Sequence, residues 1–204
     1  MSAYAEPTSK GTSASAHVIR DTRSALYWRL LPHSDDRRND HLLARMIASM
    51  VCGDGAMPRN LGFSASEYRA LLDHHFPGAV IPEPPPECAP CPQGERHQEW
   101  TELFVLLAGH KAGNDPAEQR MAHIVATGCM GGDHLWQDLG LWNRKDLSAL
   151  MDTNFPTLAA KNHKDMKWKK FLYKQLCESE GIYVCRSPSC EVCPDYDNCF
   201  GPEE

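Results

Sequence analysis

The chain has 204 residues, 42% hydrophobic and 24% charged, which suits one globular domain with a small appendage. Its longest unbroken apolar run, Leu103 to Ala108, falls far short of the ~20 residues that span a bilayer, so no membrane segment is expected. With 21 basic and 27 acidic residues the net charge is -6, the wrong sign for neutralising phosphates, which argues against a nucleic-acid partner.

Residues Met1 to Arg23 are rich in Ser, Thr and Ala and lack the apolar stretch of a secretory signal. They read as a disordered N-terminal tail of a cytoplasmic protein, with too few apolar side chains to offset the entropy of ordering them. Nine cysteines, an odd number in a reducing compartment, point to metal or redox chemistry rather than disulfides. Ala and Leu together number 39 against 12 Val and Ile, so the expected fold is all-α: a compact multi-helix domain over residues 24–182, then a cysteine-rich cluster-binding loop over 183–204.

The first clear helix runs from Asn39 to Gly53, where Leu42, Leu43, Met46, Ile47, Met50 and Val51 recur at helical spacing behind an Asn39 or Asp40 cap. Ser64 and Glu67 form a capping-box signature for a second helix, stopped by Pro77 and Gly78. Six prolines between residues 80 and 94 make an extended connector, which also holds the lone pair Cys88 and Cys91. A helix resumes near Glu95 with Trp100, Leu103, Phe104, Leu106 and Leu107 on its buried face. Another opens at Asp115-Pro116 and closes at Gly128. The glycine-bearing turn Cys129-Met-Gly-Gly-Asp-His134 follows, then short helices near residues 134–139 and 144–152. A last long helix is expected from Leu158 to Glu180.

Beyond it, Cys185, Cys190, Cys193 and Cys199 lie within 15 residues at C-x4-C-x2-C-x5-C spacing. Four thiols this dense, among prolines and an Asp-rich turn, converge on one metal centre. Iron–sulfur and zinc both suit them, and the single close pair with longer flanks favours iron–sulfur over zinc's usual two pairs. A zinc-stabilised helical adaptor is therefore the alternative. A radical enzyme using S-adenosylmethionine fits neither the spacing nor the shortage of strand formers. His123, Cys129, Asp133 and His134 offer nitrogen, thiol and carboxylate around one helix end. Cys129 or His134 is a candidate contact for a metal, with packing as the competing role. Cys52 and Cys177 follow apolar stripes and read as core thiols. Lys161, Lys164, Lys167, Lys169, Lys170 and Lys174, opposed only by Asp165, are either a solvated helix face or a surface that attracts anions.

The run Asp165-Met-Lys-Trp-Lys-Lys-Phe-Leu-Tyr-Lys-Gln-Leu-Cys177, the segment Gly128-Cys-Met-Gly-Gly-Asp-His-Leu-Trp-Gln-Asp-Leu-Gly140 and the four-cysteine tail resemble the NifQ family of nitrogenase cofactor maturation proteins, from about Asp40 to Glu204. The resemblance implies a molybdenum carrier with no catalytic residues. Its Cys185, Cys190, Cys193 and Cys199 would hold an iron–sulfur cluster that incorporates molybdenum, for delivery to the assembly scaffold NifEN together with NifH. Thiolates suit the iron, while the molybdenum corner takes a harder ligand and must let go of it.

Overall fold

Apolar residues at three- and four-residue spacing become helices. The computed structural model describes residues 22–82, 95–113, 116–179 and 196–203, and among these there are helices and no strands. In chain order they are α1 (22–30), α2 (Asp40–Val51), α3 (Ala65–His75), α4 (Glu95–Gly109), α5 (Pro116–Cys129), α6 (Leu135–Asp138), α7 (Arg144–Asn154), α8 (Pro156–Ala159), α9 (Trp168–Ser179) and α10 (Tyr196–Phe200), with 3-10 turns at Leu31–His33, Arg59–Gly62 and Ala160–Asn162.

Two helices are submerged along most of their length. On α2 the buried residues are Leu43, Met46, Ile47 and Met50 with Ala44, Ala48 and Ser49 between them; on α5, Met121, Ile124 and Val125 with Ala122, Ala126 and Gly128. The small residues let neighbouring elements approach closely. A Cβ added at Gly128 would lie 2.6 Å from Leu139, so the chain after α6 packs directly on α5. Helices α4 and α5 form an antiparallel hairpin, in which Trp100 near the start of α4 donates its indole N–H to the Thr127 hydroxyl near the end of α5, at 3.1 Å. Trp168, Phe171 and Leu172 of α9 join the same core as Leu103 and Leu107 of α4.

Polar side chains fix the joints. The α3 capping box forms as expected: the Glu67 N–H donates to Ser64 Oγ (3.3 Å) and the Ser64 N–H to Glu67 Oε2 (3.0 Å). At α2, Asn39 holds the cap position but does not cap. Its backbone is left-handed (φ 76°) and its side chain pairs reciprocally with buried Asn154, at 2.8 and 2.9 Å, joining the start of α2 to the end of α7. Asp40 ties down the preceding loop, accepting the Arg37 N–H (2.9 Å) and the Ser34 hydroxyl on one oxygen and meeting His75 Nδ1 at 2.6 Å with the other. Burial holds the His75 pKa below the ordinary imidazole value, against the opposing pull of Asp40.

The single long helix expected over 158–180 is two helices with a break. Asn162 folds its side chain back, accepting the Met166 N–H with Oδ1 and donating Nδ2 to the Met166 carbonyl, each at 2.9 Å, and Asp165 turns left-handed (φ 55°). These local bonds compete successfully with the helix ladder, so α9 starts at Trp168. The helical part also begins before residue 24: Arg23 lies in α1, ion-paired with Asp54 and 5.3 Å from the Trp142 ring centre. Residues 1–21 of the expected tail, Cys88 and Cys91 in the connector, and Asp115 fall outside the described residues.

Gly140 adopts φ +70°, its carbonyl accepts the Ser49 hydroxyl at 2.6 Å, and an added Cβ would lie 2.6 Å from that of Ser49. Gly140→Ala is therefore expected to cost about 2–4 kcal/mol in urea unfolding. A loss under about 0.5 kcal/mol would show that the α2 contact yields without strain.

Candidate metal centre

The turn after α5 is built to be tight. The Met130 and Gly131 N–H groups donate to the Thr127 and Gly128 carbonyls, both at 3.1 Å, and the chain reverses through Gly131 and Gly132. His134 then caps α6, its N–H donating to Gln137 Oε1 at 3.2 Å. Cys129 is sealed beneath this turn. Burial pushes its thiol pKa up to about 12, with Lys169 pulling the other way, so the group is protonated at neutral pH. His134 instead keeps a third of its side chain exposed and points Nδ1 to within 3.7 Å of Glu203 Oε1.

Under the turn lies a buried carboxylate. Asp138 accepts a charge-assisted bond from Lys169 Nζ and the Asp133 N–H at 3.1 Å, and Lys169 also donates to the Gly131 carbonyl at 2.9 Å. The Asp138 carbonyl takes the Ala56 N–H at 3.0 Å. Position 131 must be glycine because a Cβ there would collide with the Asp138 carboxylate. Beside this pair, Tyr173 of α9 donates its hydroxyl to Glu99 of α4; burial first, then that bond, keeps the phenol neutral.

The C-terminal segment is fastened to the same end of the molecule. Lys167 donates its N–H to the Cys199 carbonyl at 2.7 Å and its ammonium to the Asp197 carbonyl at 3.0 Å, which fixes α10. Cys199 itself is half-buried against the core. Three residues past α10, the Glu203 side chain is almost fully buried, 3.6 Å from Arg144 Nε as well as close to His134. Arg144 also binds the carboxylate and carbonyl of Asp165 at 2.8 and 3.2 Å.

The structure thus brings His134 together with the segment that carries Cys199. Cys185, Cys190 and Cys193 fall outside the described residues. His123 does not join them: it stacks on Phe63 at 4.1 Å and meets Trp100 edge-on at 5.2 Å, with burial lowering its pKa. Asp133 is exposed, and its N–H serves Asp138. Among the described residues no group of three His, Cys, Asp or Glu side chains is arranged to hold a metal. By chemical type the Cys199 thiol is a soft donor and the His134 imidazole a harder one. Cys52 and Cys177 are half-buried. Asp138, Arg144 and Glu203 carry no sequence signature, since their partners are far away along the chain; only the paired glycines at 131 and 132 hinted at close approach.

The NifQ family profile matches residues 42–201, a span that includes Cys129, His134 and all four tail cysteines. Protein NifQ of Azotobacter vinelandii is 47% identical over 177 residues, covering 82% of this chain and 91% of that protein. Protein NifQ of Klebsiella pneumoniae is 47% identical over 165 residues, 78% of this chain and 96% of its own length. A NifQ homolog of Sinorhizobium fredii is 36% identical over 167 residues, 80% and 70% respectively. No solved structure matches.

Asp138→Asn leaves the Lys169 ammonium buried without its counter-charge and is expected to cost about 3 kcal/mol in urea unfolding. Adding Lys169→Met should recover more than half of that loss, because the stranded charge is removed. A single variant within about 0.5 kcal/mol of the parent would show that the pair does not hold the turn.

Proposed function

The chain belongs to the NifQ family, and on that premise we propose that it serves nitrogen fixation as a molybdenum carrier for the iron–molybdenum cofactor of nitrogenase. Its cargo is an iron–sulfur cluster that takes up molybdenum, anchored by Cys185, Cys190, Cys193 and Cys199, and its receiving partners are NifEN and NifH. The observation that supports this most is the fastening of the Cys199 segment beside His134, through Lys167 on one side and Glu203 on the other.

A carrier has to retain metal and still surrender it. Thiolates retain iron strongly, whereas an imidazole on a half-exposed turn binds a heterometal more weakly and from a surface that another protein can reach. His134 fits the second part. Its backbone is fixed by the bond to Gln137, and its ring lies 3.7 Å from Glu203, on the side of the tail. Cys129, one turn deeper and protonated, supports the turn from beneath. Transfer of this kind involves no turnover of an organic substrate.

Replacing any two of the four tail cysteines by Ser is expected to abolish bound iron and sulfide while leaving the helical circular dichroism intact, because the core is built from other residues. Full iron and sulfide in such a variant would remove the tail as the cluster's anchor, and a colourless parent with one equivalent of zinc would put a zinc-stabilised adaptor in place of the carrier.

With the tail intact, His134→Ala should lower the molybdenum-to-iron ratio of anaerobically purified protein and slow donation to NifEN. Cys129→Ala should lower stability by about 1–2 kcal/mol and leave that ratio unchanged. A parental ratio and normal donation in His134→Ala would remove the turn from the site.

A further inference from the structure

Five of the six lysines in the run divide between two tasks. Lys169 lies under the turn and Lys167 holds α10, but Lys161, Lys164 and Lys174 face a cavity of about 490 Å3 between the 160–166 break, α9 and α10. His163 stands with them on the rim. Glu178 pairs with Lys174 at 3.6 Å and also accepts from Gln175, so with His163 neutral the rim carries a net +2 on a chain of -6. Met166 and Phe171, both almost fully buried, and half-buried Phe200 supply apolar walls. Phe200 stacks on Tyr196 at 4.6 Å, and Tyr196 is 44% exposed, so the apolar surface continues out of the cavity along α10.

Size and lining together decide what class of ligand fits. At ~30 Å3 per water the cavity has room for about sixteen waters. A small tetrahedral oxyanion would leave most of that volume wet, with the ammonium groups still hydrated and the phenyl rings unused. A chain segment with carboxylates beside a large apolar side chain uses both features: the charges meet the lysines and the apolar group displaces water from Phe200 and Tyr196.

We infer that this cavity, with Tyr196 at its edge, is the docking site for an acidic segment of a partner protein that carries an aromatic or large aliphatic side chain. The site presupposes the delivery role proposed for the chain. It adds a place for the receiver, on the very helix that holds Cys199, so that docking sets the receiving protein against the cargo end.

The test uses the full chain, purified anaerobically, and a fluorescein-labelled peptide of about twelve residues in which Glu and Asp alternate around two Phe. Fluorescence anisotropy is expected to show saturable binding that weakens as salt is raised from about 50 to about 200 mM. Control peptides with Gln and Asn for the acids, or Ala for Phe, should bind about tenfold more weakly or worse. The combined variant Lys161→Gln, Lys164→Gln, Lys174→Gln should lose about tenfold in affinity and Tyr196→Ala several-fold, while Lys145→Gln on α7 changes nothing. If the triple variant loses helicity, Lys161→Gln alone must still weaken binding about twofold. Parental affinity in these variants, no binding by the parent, or displacement of the peptide by molybdate or inorganic phosphate at matched ionic strength would overturn the docking site, the last assigning the cavity to a small oxyanion. Iron and molybdenum are quantified on the same samples. A parent that binds the peptide but acquires no molybdenum refutes the carrier and leaves the docking site standing. Full metal without peptide binding does the reverse.

Discussion

Everything at the cysteine-bearing end hangs on a buried carboxylate. Asp138 is taken out of water, and its carboxylate left without the largely covered Lys169 would cost several kcal/mol, so the two meet in the folded protein. Their meeting sets how close α9 comes to the end of α5 and forces the intervening turn through Gly131. Lys167, two residues before Lys169, then reaches the opposite way and binds α10. The start of α9 is thus a bracket with two arms, one gripping the turn of His134 and the other the helix of Cys199.

The apolar core supplies stability without selecting this arrangement. Leu, Met and Ala on α2 and α5 would pack acceptably in several registers, because such side chains adapt to one another. What singles out one register is a small set of buried polar contacts at the joints: Asn39 with Asn154, Asp40 with His75, Ser49 with the Gly140 carbonyl. Each is satisfied in one geometry and costly in any other.

Much of this was legible in the sequence, and the failures have a common cause. Helical periodicity located α2, α4 and α5, and the Ser64–Glu67 signature located the α3 cap, because those signals are local. The break between α8 and α9 is not legible there: leucines and lysines continue a helical pattern through it, while the decisive bonds join the Asn162 side chain to the backbone of Met166. Asn39 and Asp40 both suit a cap by residue type, yet Asn39 takes the position and its side chain pairs with Asn154, far along the chain. At the candidate site, the turn and the tail were visible as motifs, whereas their adjacency rests on Lys167, Arg144 and Glu203, whose partners no spacing rule reveals.

The Asn162 clasp also works as a length gauge. An α-helix advances about 100° per residue, so one residue inserted or removed between Met166 and Trp168 would rotate α9 by that amount relative to the clasp. Lys169 would leave Asp138, and Lys174 would swing away from Lys161 and Lys164, which stay with the clasp. The body of the protein can therefore accept substitutions across its apolar faces, but this short interval can accept no change in count: chain length there, more than residue identity, keeps the His134 turn and the Cys199 helix in phase.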